Sequence, residues 1–204
     1  MPRTSERGGP QTRARILEVS NRLFIERGYD LVTVAQVAKE AGVSSVTVFN
    51  HFPRKEDLFL DRADEVVELL RSTVRGRAAG ITPVESLRGL AFGLADQLHS
   101  FSGLDPRAAP FFRTIAASPA LIARAREIGA GFQRALTDEL RRDASFEGDS
   151  ILLGALFLAG YSAVLVETAR QQMAGEVSEE LVADHRLRLE KLFDALENGF
   201  SARE

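Results

Sequence analysis

The sequence predicts an all-α fold of about nine helices, three short ones in a head over residues 1–56 and roughly six in a bundle over residues 57–204. Three observations lead there. Apolar residues recur at spacings of three and four along most of the 204-residue chain, and the strict alternation of a half-buried strand is nearly absent. Cap signals punctuate these stretches: Thr33-x-x-Gln36, Thr82-Pro83-x-Glu85 and Ser118-Pro119. Charge is also divided, with nine Lys and Arg against five acids in residues 1–55 and 17 against 24 in the rest. A chain of net charge −3 therefore carries a cationic head, as suits a polyanionic partner. On charge alone, chance unevenness of solvated faces is the other reading.

Each element has a local cause. The first helix is expected from about Thr12 to Gly28, with Ile16, Leu17, Leu23 and Phe24 as its apolar stripe and Ser20 on the same face. The Thr33 box opens a short second helix whose inward face is Val34, Val37, Ala38 and Ala41, and Gly42 breaks it. Ser44 caps a third helix that ends before Pro53. A long helix is expected over Lys55–Arg75, then one from Thr82 through Phe101 carrying a second stripe of Phe92, Ala95 and His99. Asp105-Pro106 and Ser118-Pro119 mark two further starts, Ser150–Ala174 forms an apolar helix, and Ser178 caps the last.

Composition excludes several classes of function. There is no cysteine, so disulfides, thiolate metal sites and cysteine nucleophiles are out. Three histidines, at 51, 99 and 185, form no ligand spacing, and no catalytic set, metal or cofactor is expected. The first fifteen residues are polar and arginine-rich, unlike a secretory signal. The longest uncharged apolar run, Ile151 to Val166, is sixteen residues, short of the roughly 20 that span a bilayer. A soluble cytoplasmic protein without membrane association is the expectation.

Residues 33–52 carry the most specific pattern. Two crossed helices need a small residue at the crossing, which Ala38 supplies. They need a conformationally permissive residue in the turn, Gly42, and an apolar residue packing back from the second helix, Val48. This is helix-turn-helix spacing, beside a basic arm. In such a unit the second helix enters the major groove, which puts Ser45, Val46, Thr47 and Asn50 toward base edges. Asn50 suits a bidentate pair with adenine, and Val46 or the Thr47 methyl suits a thymine methyl. Arg3, Arg7 and Arg13 either trail into a minor groove or stay solvated.

Residues 12–60 resemble the DNA-binding domain of the TetR family of transcriptional regulators. The resemblance rests on Ile16-Leu17, Leu23-Phe24-Ile25-Glu26-Arg27-Gly28-Tyr29, Thr33-Val34, Val37-Ala38, Ala41-Gly42-Val43-Ser44, Thr47 and His51-Phe52-Pro53-Arg54-Lys55-Glu56-Asp57-Leu58. It covers about a quarter of the chain. It implies a homodimer on a palindromic double-stranded DNA operator, usually a repressor released by a small molecule. It also associates Thr33, Ser44, His51 and Lys55 with phosphate contact, the first two at helix N-termini. Three positions depart from the family pattern. Phe49 stands where the family usually has a phosphate-binding tyrosine, Val46 where glycine or proline is frequent, and Arg54 where a small polar cap is usual.

The resemblance places an effector cavity among the middle helices of the C-terminal domain, so Phe92, Ala95, His99, Phe112, Ile128, Phe132 and Tyr161 are the expected lining, for a largely apolar ligand. Ordinary core packing is the competing reading of each. The apolar Ser150–Ala174 helix, with Gly154, Ala155, Ala159, Gly160 and Ala163 allowing close approach, is expected to pair with the last helix and their copies in a second subunit. A helical-bundle enzyme and a non-DNA adaptor are the alternatives, separated by turnover and by loss of DNA binding on Thr47→Ala or Lys55→Ala.

Overall fold

A computed structural model describes residues 9–175 and 177–200; Arg3 and Arg7 of the basic arm lie outside them. Among the described residues there are nine α-helices, two short 3-10 helices and no strand. The chain divides into two compact units. One takes the chain up to Asp61 together with Arg113–Ala125, and the other takes Arg62–Phe112 and the chain from Arg126 onward.

The first unit contains α1 (Gly9–Arg27), α2 (Val34–Glu40) and α3 (Ser45–His51). Helix α1 buries Ile16, Val19, Leu23 and Phe24 along one face and stops at Gly28, whose φ of +86° only glycine adopts without cost. Ser20, fully buried, donates its hydroxyl to the Leu58 carbonyl at 2.9 Å. That bond, with Leu58 and Phe59 buried in the same core, explains why the long helix expected from Lys55 does not form. Lys55–Leu58 is instead a 3-10 turn, and α4 begins only at Ala63 and runs to Arg75. Residues 113–125 belong to this unit, and Leu121 within them is fully buried. The Ser118 hydroxyl donates to Asp30 at 2.9 Å, and Arg124 donates to Asp57 at 2.9 and 3.1 Å.

The second unit is built on α4, α5 (Pro83–Asp96), α8 (Ser150–Ala174) and α9 (Glu179–Phe200). Helix α9 packs on α8 and α5, over a core that includes Leu87, Leu136, Leu153, Leu189 and Phe193. Between α5 and α8 come α6 (Ala109–Ala116) and α7 (Pro119–Arg142), and the division into units falls inside each of them. Two expected spans need correcting. Helix α5 ends at Asp96, because Leu98 turns left-handed at φ +47° and the His99 N–H closes back on the Leu94 carbonyl; His99 then caps the 3-10 turn Ser100–Ser102. No helix follows Asp105-Pro106, although Asp105 Oδ1 accepts the Arg107 N–H as a cap would; α6 begins at Ala109.

Candidate nucleic-acid interface

The site begins with two caps. Thr33 and Gln36 exchange bonds: the Thr33 N–H donates to Gln36 Oε1 at 2.7 Å, and the Gln36 N–H donates to Thr33 Oγ1 at 3.2 Å. Ser44 Oγ accepts the Thr47 N–H at 3.0 Å and lies 2.9 Å from the Thr47 hydroxyl. Between the caps, Gly42 sits at φ +65°, and the Val43 N–H reaches the Ala38 carbonyl at 2.9 Å. Val37 and Val48 are wholly buried and Ala38 and Ala41 nearly so. This is the crossing that the spacing of residues 33–52 predicts.

Burying Val48 decides what α3 shows to solvent. Val46 is 69% exposed and Phe49 49%, with Asn50 also exposed and Ser45 and Thr47 half-buried. Thr33 and Ser44 are exposed at their caps, and His51 is half-buried beside the Phe52 ring, 6.4 Å away. Lys55 is the predicted contact with the most engaged side chain. Its ammonium donates to the Tyr29 carbonyl at 2.6 Å and lies 3.9 Å from the Tyr29 ring centroid. Burial lowers the pKa of this ammonium, against the pull of Asp30 and Glu56. Two of its three N–H donors remain for another acceptor.

Arg13 does not belong to a trailing arm. It lies in α1, with its guanidinium 4.8 Å over the Phe52 ring and 3.5 Å from Asp61. Two supports escaped the sequence reading. Arg22 of α1 donates to Glu40 of α2 at 3.0 Å, and Arg124 holds Asp57 from 67 positions away. Tyr29, in the Leu23–Tyr29 segment of the family resemblance, carried a sequence signal for its role under Lys55.

The seven expected effector residues all fall in the second unit. Ala95 is buried in the core. Phe92 lies 6.3 Å from Phe193 beneath Arg186 at 5.1 Å. Phe112 meets Phe111 edge-on at 5.6 Å, and Phe132 is partly buried against the core. Ile128 is half-buried. The Tyr161 hydroxyl donates to the Phe101 carbonyl at 3.1 Å, and its ring stacks on Phe157 at 5.8 Å. His99 borders a cleft of about 570 Å³ with Glu65, Leu69, Leu90, Leu94 and Phe101; its Nδ1 accepts the Phe101 N–H at 3.2 Å. A larger cleft of about 910 Å³, bordered by Arg77, Ile81, Val84, Phe146 and Leu196, holds none of the seven.

A short capped helix crossing another at Ala38, with its outer side chains free on a cationic head, defines a helix-turn-helix nucleic-acid reader. Comparisons with known proteins agree. Residues 16–61 match the family described as bacterial regulatory proteins, tetR family. The HTH-type transcriptional repressor Rv1474c of Mycobacterium tuberculosis is 31% identical over 142 residues, 70% of this chain and 71% of that protein. The HTH-type transcriptional regulator TcmR of Streptomyces glaucescens is 30% identical over 79 residues, 39% of this chain and 35% of that protein. In structure, the Thermus thermophilus FadR repressor crystallised with lauroyl-CoA superposes with a TM-score of 0.54 at 27% identity, over 94% of this chain and 96% of that one. The chain belongs to the TetR family of bacterial transcriptional regulators.

Proposed function

We propose that this protein is a homodimeric transcriptional repressor that binds a palindromic DNA operator through α3 and is released by a small, largely apolar effector. The observation that carries the reading is the outward face of α3, where Val46, Phe49 and Asn50 stand free of the protein's own packing. Thr33, Ser44, His51 and Lys55 supply the polar atoms for phosphates around it, and Ser45 and Thr47 flank the reading face. Its site of action is the cytoplasm, where the DNA is.

Dimerisation is supported by α8. That helix is long and apolar enough to cross a bilayer, by length and composition, yet only 28% of its most apolar stretch is buried within the chain. Leu152, Leu156, Ala159, Ala163 and Val166 are exposed at alternating spacings of four and three, the seam of a helix that pairs with another. The same face of a second copy covers it. Of the small residues on α8, Gly154 and Gly160 serve the chain itself: an added Cβ would run into Thr137 and Leu192 respectively. Ala159 and Ala163 are left for the partner. An effector is supported by the half-buried aromatics of the second unit and by the relative that holds lauroyl-CoA.

The test is binding of the full chain to duplexes selected from a random pool. Affinity should fall by orders of magnitude between about 50 and 200 mM salt, and Asn50→Ala should cost the selected sequence about tenfold or more, one bidentate base contact being lost. A flat salt response, or selection of no sequence at all, would refute the reading.

A further inference from the structure

The core of the head already has its apolar side chain from α3, namely Val48. Val46 and Phe49 are therefore not explained by folding. Scattered exposed apolar residues are ordinary, but these two lie three apart on one helix, one turn along the same face, and exposed Asn50 continues that face. The strip is valine, phenylalanine, amide.

The chemistry of the groove limits what such a strip can meet. Phenylalanine has no donor for a phosphate, so its ring does not replace a tyrosine hydroxyl. The apolar group that a base edge presents in the major groove is the thymine 5-methyl. Thr47, the other residue of α3 with a methyl to offer, is half-buried and has its hydroxyl engaged with Ser44 at 2.9 Å. Asn50 has the donor and acceptor geometry for adenine N6 and N7, the base opposite thymine.

We infer that Val46 and Phe49 act as a paired reader of thymine methyl groups, and that with Asn50 they confine the centre of each half-site to A·T pairs. Three residues of helix advance about 4.5 Å, against about 3.4 Å per base step, so the two methyls belong to neighbouring or next-but-one pairs. The inference rests on the DNA-binding assignment above and adds to it the identity of the bases.

The experiment uses the full chain and duplexes enriched from a random pool, with each thymine of the enriched half-site replaced in turn by deoxyuridine. That change removes the methyl and leaves pairing and O4 intact. Substitution should weaken binding about fourfold at two positions, the factor for withdrawing one buried methyl-sized group. Val46→Ala should abolish the sensitivity at one position and Phe49→Ala at the other. Both side chains are exposed, so the variants should keep the wild-type melting temperature, and their salt slope should not change. Enriched half-sites with G·C at the centre, indifference to deoxyuridine, or a reduced salt slope in Phe49→Ala would each overturn the inference while leaving DNA binding standing. If nothing is enriched, the DNA-binding assignment itself fails, and this inference with it.

Discussion

Leu98 is held at φ +47°, where the Cβ of an L-residue crowds the following carbonyl at a cost of about 1–2 kcal/mol. It occupies the position after α5 that glycine usually fills: its N–H bonds the Ala95 carbonyl and the next N–H bonds that of Leu94. Comparing two truncations isolates the backbone. Leu98→Gly should be more stable than Leu98→Ala by about 1 kcal/mol, the reverse of their order inside a helix, as thermal unfolding would reveal. His185 is the other residue under constraint. It is 1% exposed, and its Nδ1 lies 2.8 Å from the Thr168 hydroxyl, which itself donates to the Val164 carbonyl. Nδ1 must then carry the proton, and Nε2 is buried with no partner. Burial depresses the imidazole to about 4, the attraction of Asp184 being outweighed. The unfolded chain takes up this proton near pH 6.5 and the native one does not until about pH 4. Stability is therefore fully present above pH 6.5 and falls as pH drops below it, at up to about 1.4 kcal/mol per pH unit. Denaturant melts between pH 6.5 and about 4.5, above the ordinary carboxylate range, should show this slope, and His185→Gln should flatten it.

At the scale of elements, the turn between α2 and α3 depends on one backbone conformation. Nothing stands within 4 Å of a Cβ placed on Gly42, so Gly42→Ala tests φ +65° alone. It should destabilise the protein by about 1–2 kcal/mol. Gly129, inside α7 and equally unobstructed, is the control: Gly129→Ala should stabilise by about 1 kcal/mol. Equal shifts of melting temperature in the same direction would contradict the account of the turn. The split of the expected Lys55–Arg75 helix is also an element-scale matter. Leu58 and Phe59 are buried and Ser20 donates to the Leu58 carbonyl, where the chain forms a 3-10 turn separate from α4.

At the scale of the molecule, the exposed seam of α8 is the face on which the proposed dimer rests. Leu156→Glu combined with Val166→Glu changes side chains that are 50% and 66% exposed, so the helical circular dichroism should persist. Sedimentation should shift from dimer to monomer, and operator affinity should fall because each half-site then binds alone. A wild-type chain that sediments as a monomer at micromolar concentration would refute the dimer. The first unit also has a reach that sequence order conceals. Residues 113–125 belong with the head through Ser118–Asp30 and Arg124–Asp57.

Read alone, the chain determined whatever rests on neighbours within a turn or two. Caps at Thr33, Ser44, Thr82 and Ser118, the break at Gly42, the crossing at Ala38 and the inward Val48 are all local, because a side chain that caps or packs three or four positions away leaves its pattern in the sequence. That is why α3 and its outward residues were legible. Tertiary structure alone decided which partner each long or small side chain finds. Lys55 is held at Tyr29, Arg13 over Phe52, and Gly154 and Gly160 against the chain's own helices. Nothing in the residues beside Gly160 or Ala163 distinguishes a glycine facing Leu192 from an alanine facing solvent; that depends on which sides of α8 are covered by helices formed elsewhere in the chain.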